Sequence, residues 1–358
     1  MPTAAVAATT AIVPATDPRI AWTGRTQHLP DDAIRFAFPG VSLSLRVQAA
    51  RVILHVTASS ADCWFDLELD YAAPRTLLLP AGEAEVVIAD HLDPLRDHRI
   101  KLIRRIESWM GVVTVHAVRT AGGVLLPADP APDRRLLFIG DSITCGACVD
   151  YLPPDWPEGN AMSNANGSYG MVLARRLNAQ AHLISYGGRG LQRDYQGWGN
   201  ERTANAPLFF ERTLADDPTS VWDHASYQPH GIIIGLGTND FNQGIPDREA
   251  WIPAYICFIA RLRAVYPAAR ILLLTSPLIG QRVDNGDAQK SAALAGYIAE
   301  IVRRCSEAGE RRLSWLALPH LPGARNSHPD AHGHQRIADL LAPELATWFA
   351  PGIHQTMT

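Results

Sequence analysis

Residues 136–146 read LLFIGDSITCG, and this stretch restricts the possible folds more than any other in the chain. Leu136-Leu137-Phe138-Ile139 is an unbroken apolar run, the mark of a strand buried on both faces in a parallel sheet. It stops at Gly140-Asp141-Ser142, small or polar residues that suit a sharp strand-to-helix turn. Such a turn puts Ser142 at the carboxyl edge of the sheet, where open α/β folds hold their ligands. At a helix N-terminus its backbone N–H also points at a developing negative charge. One turn therefore offers both a nucleophile and an oxyanion donor. Taken alone, Asp-Ser-x-Thr after a strand is equally an ordinary helix N-cap, and the choice depends on what lies downstream.

Downstream, strand and helix patterns alternate. After a polar loop (149–166), GSYGMVLARRLN reads as a helix, HLIS (182–185) as a short strand and GIIIGLG (231–237) as an apolar one. Helix 248–266, strand 270–275, helix 288–309, strand 313–318 and helix 332–350 complete the chain. Strands joined by helical crossovers predict a five-stranded parallel sheet with helices on both faces, a three-layer α/β/α domain over 136–350.

The upstream half has another period. Val41, Leu43, Leu45 and Val47 alternate with Ser42, Ser44 and Arg46, as in a half-buried strand. Six more β-like runs follow, at 51–57, 63–70, 75–80, 84–90, 98–106 and 111–118. No helical stripe competes with them, so 20–121 is predicted to be an all-β jelly-roll sandwich. Its Trp64 and Trp109 suit sugar stacking and core packing equally well. GGVLLPADPAPDRR (122–135) is predicted to be the linker. Residues 1–19 are Ala/Thr-rich with no Lys or Arg ahead of the apolar run, a poor secretory signal, and are expected to form a disordered leader.

Two domains also suit the length of 358 residues. A net charge of −4 carries no basic excess, which argues against nucleic acid as a partner. No apolar window approaches the roughly 18 residues of a membrane span. Cys145 and Cys148 form a lone C-x-x-C without a second pair, which favours incidental thiols over a redox or zinc site.

Three further stretches carry chemistry. Tyr186-Gly187-Gly188-Arg189-Gly190 follows a strand, and its glycines allow close backbone approach to a substrate oxygen, although a plain tight turn reads the same way. Gly237-Thr238-Asn239-Asp240 follows another strand and offers the Asn239 amide as a neutral oxyanion donor, against the ordinary use of Asn in turns. SHPDAHGHQRIA (327–338) offers His328, His332 and His334 as bases of near-neutral pKa for a serine nucleophile. A zinc site there is disfavoured, because Pro329 breaks the helical face that His328 and His332 would share.

In that order, GDSITCG, GGRG, GTND and the His-Pro pair resemble the sequence blocks of the GDSL, or SGNH, hydrolases. The resemblance implies that Ser142 is the nucleophile and His328 the base. It implies an oxyanion hole of Ser142 N–H, Gly188 N–H and the Asn239 side chain. Family members carry an Asp two or three residues before the histidine, but here those positions are Arg325 and Asn326, so a backbone carbonyl, Asn326 or a remote carboxylate would orient His328. Asp141 is expected to fix the turn by hydrogen bonding.

The preceding β-sandwich, RRIESWMG (104–111) with its Glu-x-x-x-Gly, and Trp222-Asp223 make the chain similar to carbohydrate esterase family 2. This implies a serine esterase that removes acetyl groups from xylan or glucomannan, without metal or organic cofactor, in the extracellular space or periplasm. Trp222 and Trp198 are expected to flank the sugar. Two rival readings are a generic SGNH lipase, thioesterase or arylesterase, and a carbohydrate-binding protein with an impaired active site, the latter prompted by the missing Asp.

Overall fold

The period-2 pattern at 41–47 becomes the strand Ser42–Gln48, with Leu43, Leu45 and Val47 buried and Ser44, Arg46 and Gln48 partly exposed. The computed structural model describes residues 10–151, 160–280, 286–321 and 328–349. Two six-stranded antiparallel sheets form the N-terminal domain. The first runs Gln27–His28, Ile34–Phe36, Val113–Ala121, Arg51–Ala58, Gly82–Ala89, with Thr10–Pro14 also paired to Val113–Ala121. The second runs Val124–Leu126, Ser42–Gln48, His98–Arg104, Cys63–Leu69, Arg75–Leu79, with Ala21–Thr23 also paired to Ser42–Gln48. Leu43, Leu45, Phe65 and Leu102 of one sheet and Val52, Leu54, Val56 and Val115 of the other share one apolar core.

The sandwich extends beyond its expected limits at both ends. Thr10–Pro14, expected as part of a disordered leader, lies antiparallel to Ala117–Ala121 and buries Val13. A five-residue strand flanked by Ala and Thr has no strong period of its own, and only its partner strand makes it one. Val124–Leu126, expected as linker, pairs with Arg46–Gln48 and buries Leu125. Gly122-Gly123 is the turn that carries the chain from the first sheet into this strand of the second: Gly122 has φ +68°, and a Cβ on Gly123 would overlap the Gln48 carbonyl. The turn residues that suggested a connector thus serve the sandwich.

The second domain holds the five-stranded parallel sheet, in the order Ala179–Ser185, Arg134–Gly140, Gly231–Gly235, Arg270–Leu274, Leu313–Leu316. Each strand sends alternate side chains to opposite faces. Leu137, Ile139, Ile232, Ile234, Ile271 and Leu273 share a core with Trp251, Phe258, Ile298 and Ile301 of helices Arg248–Val265 and Asp287–Glu307. Leu136, Phe138, Ile233, Leu272 and Leu274 pack with Val172, Leu173, Ile337 and Leu341 of helices Tyr169–Arg176 and Ala331–Thr347. In chain order the sheet reads 2-1-3-4-5, so the strand order reverses beside Arg134–Gly140 and opens a crevice at its carboxyl end.

The two domains share a seam. The first of these apolar cores is continuous with the sandwich interior, through residues such as Phe38, Phe209 and Phe210. Arg25, only 1% exposed, crosses from the sandwich and donates to the carbonyls of Phe210 and Arg212, both at 2.6 Å. Its guanidinium lies 5.0–5.7 Å from the ring centroids of Phe38, Phe210 and Trp222. Arg105, also buried, donates instead to carboxylates, Asp66 of the sandwich at 2.6 Å and Asp150 of the second domain.

Candidate active site

Ser142 opens the short helix Ser142–Cys145 directly after strand Arg134–Gly140, as the GDS turn predicts. Asp141 is the N-cap, its carboxylate accepting from Ile143 N–H at 3.0 Å and from the Asn239 amide at 3.5 Å. Burial raises its pKa to about 6, partly offset by the Ile143 N–H and the Thr238 hydroxyl. A buried carboxyl already engaged on the turn is a clamp and has no reach to the reacting centre as a base.

The three histidines of the last block separate cleanly. His328 Nε2 lies 2.7 Å from Ser142 Oγ, across 186 residues of chain. His332 is exposed on the final helix. His334 is buried, stacked on Tyr169 with an interplanar angle of 5°, and its Nδ1 accepts from Tyr169 N–H at 3.1 Å. Burial lowers the His334 pKa to about 3, so it stays neutral and serves the core. Asp330 follows the histidine as the N-cap of helix Ala331–Thr347, accepting from Gly333 N–H at 2.8 Å. Arg325 and Asn326, candidates for the side that orients His328, lie outside the described residues.

Gly188 and Asn239 reach the same cleft from the strands on either side. Gly188 follows Ala179–Ser185 with φ +75°, and a Cβ there would come within 3.0 Å of the Tyr195 ring. Asn239 stands on helix Thr238–Asn242 after Gly231–Gly235, buried, with its amide donating to the Arg189 carbonyl at 2.9 Å. Its neighbour Asp240 holds the connecting loop from inside, accepting from the N–H groups of Leu191, Gln192 and Arg193 at 2.8–3.0 Å. Three adjacent strand ends thus bring Ser142, Gly188 and Asn239 to one side of a cleft of about 1340 Å³, with His328 facing them.

The expected sugar-flanking tryptophans divide. Trp198, 44% exposed, lines the cleft with Tyr195. Trp222 does not line it and instead lies half-buried under Arg25 at the domain seam, edge-on to His182. The reason is topological: Trp222 precedes strand Gly231–Gly235 and sits toward its amino end, whereas the cleft opens at the carboxyl ends. The sandwich tryptophans divide as well. Trp64 packs on the core, and Trp109 is 50% exposed on the cleft. Of the two cysteines, Cys145 is buried and donates to Ser185 Oγ at 3.2 Å, while Cys148 lines the cleft.

Glu107 had no role assigned from sequence, although its stretch was noted. It lies between strand His98–Arg104 and the single turn Ser108–Met110, and it enters the cleft floor from the sandwich side. The Glu-x-x-x-Gly spacing was the one available signal, and it does not say which residue 80 positions later the carboxylate meets.

Comparison with known proteins gives the same two parts. The GDSL-like Lipase/Acylhydrolase family matches residues 138–336, and the Carbohydrate esterase 2 N-terminal domain matches residues 22–130. The chain is similar to an acetylxylan esterase / glucomannan deacetylase of Cellvibrio japonicus, 36% identical over 346 residues, which are 96% of this chain and 92% of that protein. Among solved structures it resembles a family two carbohydrate esterase from Cellvibrio japonicus, with TM-score 0.88 and 35% identity over 95% of this chain and 98% of that one. A family two carbohydrate esterase from Clostridium thermocellum, solved in complex with cellohexaose, gives TM-score 0.83 and 26% identity over 92% of this chain and 100% of that one.

Proposed function

This chain belongs to the GDSL-like lipase/acylhydrolase family, in its carbohydrate esterase family 2 branch, and from that premise we propose that it is a serine esterase removing O-acetyl groups from hemicellulose-type polysaccharides such as xylan and glucomannan. The observation that carries the reading is the contact of 2.7 Å between Ser142 Oγ and His328 Nε2 on a cleft large enough for a sugar chain. In that geometry His328 takes the hydroxyl proton as Ser142 Oγ attacks the acetyl carbonyl. The tetrahedral oxyanion is held by Ser142 N–H, Gly188 N–H and the Asn239 amide, the last exchanging its bond to the Arg189 carbonyl for the developing charge. His328 then gives its proton to the departing sugar hydroxyl, leaving acetate esterified to Ser142. Water, deprotonated by the same histidine, attacks this acetyl-enzyme and releases acetate. Side chains and backbone of this chain supply each step.

An exposed cleft walled by Trp109, Tyr195 and Trp198 suits a bulky carbohydrate alcohol and a small acyl group. The acidic balance, net −4, suits a neutral polysaccharide and opposes nucleic acid as a partner. Among the described residues no helix is long and apolar enough to cross a membrane. Polymeric hemicellulose does not reach the cytoplasm, which supports a site of action in the extracellular space or periplasm.

The test is acetate release from acetylated xylan and glucomannan, beside 4-nitrophenyl acetate and octanoate, for the wild type and Ser142→Ala. Serine-dependent release from the polysaccharides, with octanoate left intact, is expected. Octanoate preference would move the assignment to a lipase-like relative. No turnover of any ester would leave a carbohydrate-binding protein.

A further inference from the structure

Glu107 is a buried acidic side chain at the cleft that no step above uses. Three features define its surroundings. Its carboxylate accepts from Trp109 Nε1–H at 3.1 Å. A Cβ on Gly187 would overlap Glu107 Oε2, so the carboxylate occupies the space that any other residue at 187 would need. The segment bearing it is anchored in the second domain on both sides: Arg105 reaches Asp150 and the Ala161 carbonyl, and Ser108 Oγ donates to the Ser185 carbonyl at 3.0 Å. The sandwich therefore pushes a fixed acceptor under the very turn that carries Gly188.

We propose that Glu107 is a positioning residue for the oxyanion hole: from the sandwich domain, its carboxylate fills the space beside Gly187 and so sets the aim of the neighbouring Gly188 N–H. The proposal rests on the reading of Gly188 and Asn239 as oxyanion donors. A turn that ends in a left-handed glycine has no side chain of its own to hold it, and two consecutive glycines leave it the most pliable backbone in the site. Loss of this support lets the donor drift, and a drift of about 1 Å in a catalytic group costs on the order of 100-fold. Burial pushes the Glu107 pKa up to about 7, the Trp109 N–H lowers it and Asp141 raises it further.

Full-length variants are compared by kcat and KM on 4-nitrophenyl acetate, with the folded fraction measured by near-UV circular dichroism. Glu107→Ala removes the side chain that fills the space beside Gly187. It is expected to lower kcat about tenfold or more with KM within about twofold, the signature of a loss confined to the transition state, whereas Glu107→Gln keeps the shape and is expected to hold kcat within about threefold. Gly187→Ala is expected to lower kcat similarly to Glu107→Ala, because its methyl displaces the carboxylate. The double variant Glu107→Ala with Gly187→Ala is expected to be no worse than Glu107→Ala alone, since the clash is gone; a role in stability alone would couple the two in melting temperature and leave kcat per folded molecule unchanged. Asn239→Ala is the control for the underlying reading. If it loses activity while Glu107→Ala keeps kcat within threefold, the positioning role is overturned and the oxyanion reading stands. If Asn239→Ala is fully active, the oxyanion reading falls and the proposal with it. Full additivity of the Glu107 and Gly187 changes would also overturn the proposal.

Discussion

Ser142, Gly188 and Asn239 reach the cleft from turns at the carboxyl ends of three adjacent strands, whereas Glu107, Trp109 and Met110 reach it from one loop of a separate β-sandwich. The first wall is set by local chemistry. Each residue stands two to four positions past a buried strand, and the sheet register brings the three together. The second wall is set by docking. Its residues are held there across the seam, with Arg105 paired to Asp150 and Ser108 bonded to the Ser185 carbonyl. The comparison teaches that the catalytic groups belong to one domain while the surface that holds a substrate against them is shared between two.

Breaking the first wall has the larger effect. Asn239→Ala removes a proposed oxyanion donor, and kcat on 4-nitrophenyl acetate is expected to fall about 100- to 1000-fold with little change in KM. A loss in KM alone would make Asn239 a binding residue. On the second wall, Trp109→Ala deletes an exposed ring, and KM for acetylated xylan oligosaccharides is expected to rise about 3- to 10-fold, the worth of one aromatic contact. KM for 4-nitrophenyl acetate, which is too small to span the cleft, should hold. An equal rise for both substrates would reduce the sandwich wall to a support.

The smallest effect sharpens the contrast in another observable. The Glu107 carboxyl has its pKa raised to about 7, mainly by burial, so the folded state holds this proton more tightly than the unfolded chain. Its contribution to stability is therefore fully present below the unfolded pKa near 4.5 and is lost as pH rises through about 7. Going from pH 7.5 to pH 5, the wild type should gain on Glu107→Gln by at most about 3 kcal/mol, read as a few degrees of Tm. Parallel Tm profiles for the two proteins would show that the carboxyl ionises freely in the fold.

This division also governs what the sequence discloses. The strands of the parallel sheet are legible as short runs rich in apolar residues, and the blocks GDSITCG, GTND and His-Pro carry the family resemblance that implies the roles of Ser142, Asn239 and His328. Trp222 misled because aromatic type was weighed without asking which end of the strand it precedes. Thr10–Pro14 and Val124–Leu126 were illegible because five- and three-residue strands gain their stability from partners far along the chain. Glu107 was illegible for the same reason at larger scale. Its meaning lies in Gly187, and nothing local to either residue connects the two.

Arg25 and its aromatic cage have a consequence for the order of assembly. During synthesis this guanidinium emerges 185 residues ahead of the Phe210 carbonyl it will bond. The two sheets of the sandwich, complete by Leu126, can close while Arg25 is still solvated and Phe38 still bare beside it. Docking must then strip water from a cation that gains two carbonyls and the rings of Phe210 and Trp222 but pairs with no carboxylate among the described residues, a loss that lowers its pKa to about 9. Joining the halves is thus opposed by desolvation of this cation and driven by apolar contact across the seam, and the cleft, lined from both domains, is complete only when the seam closes.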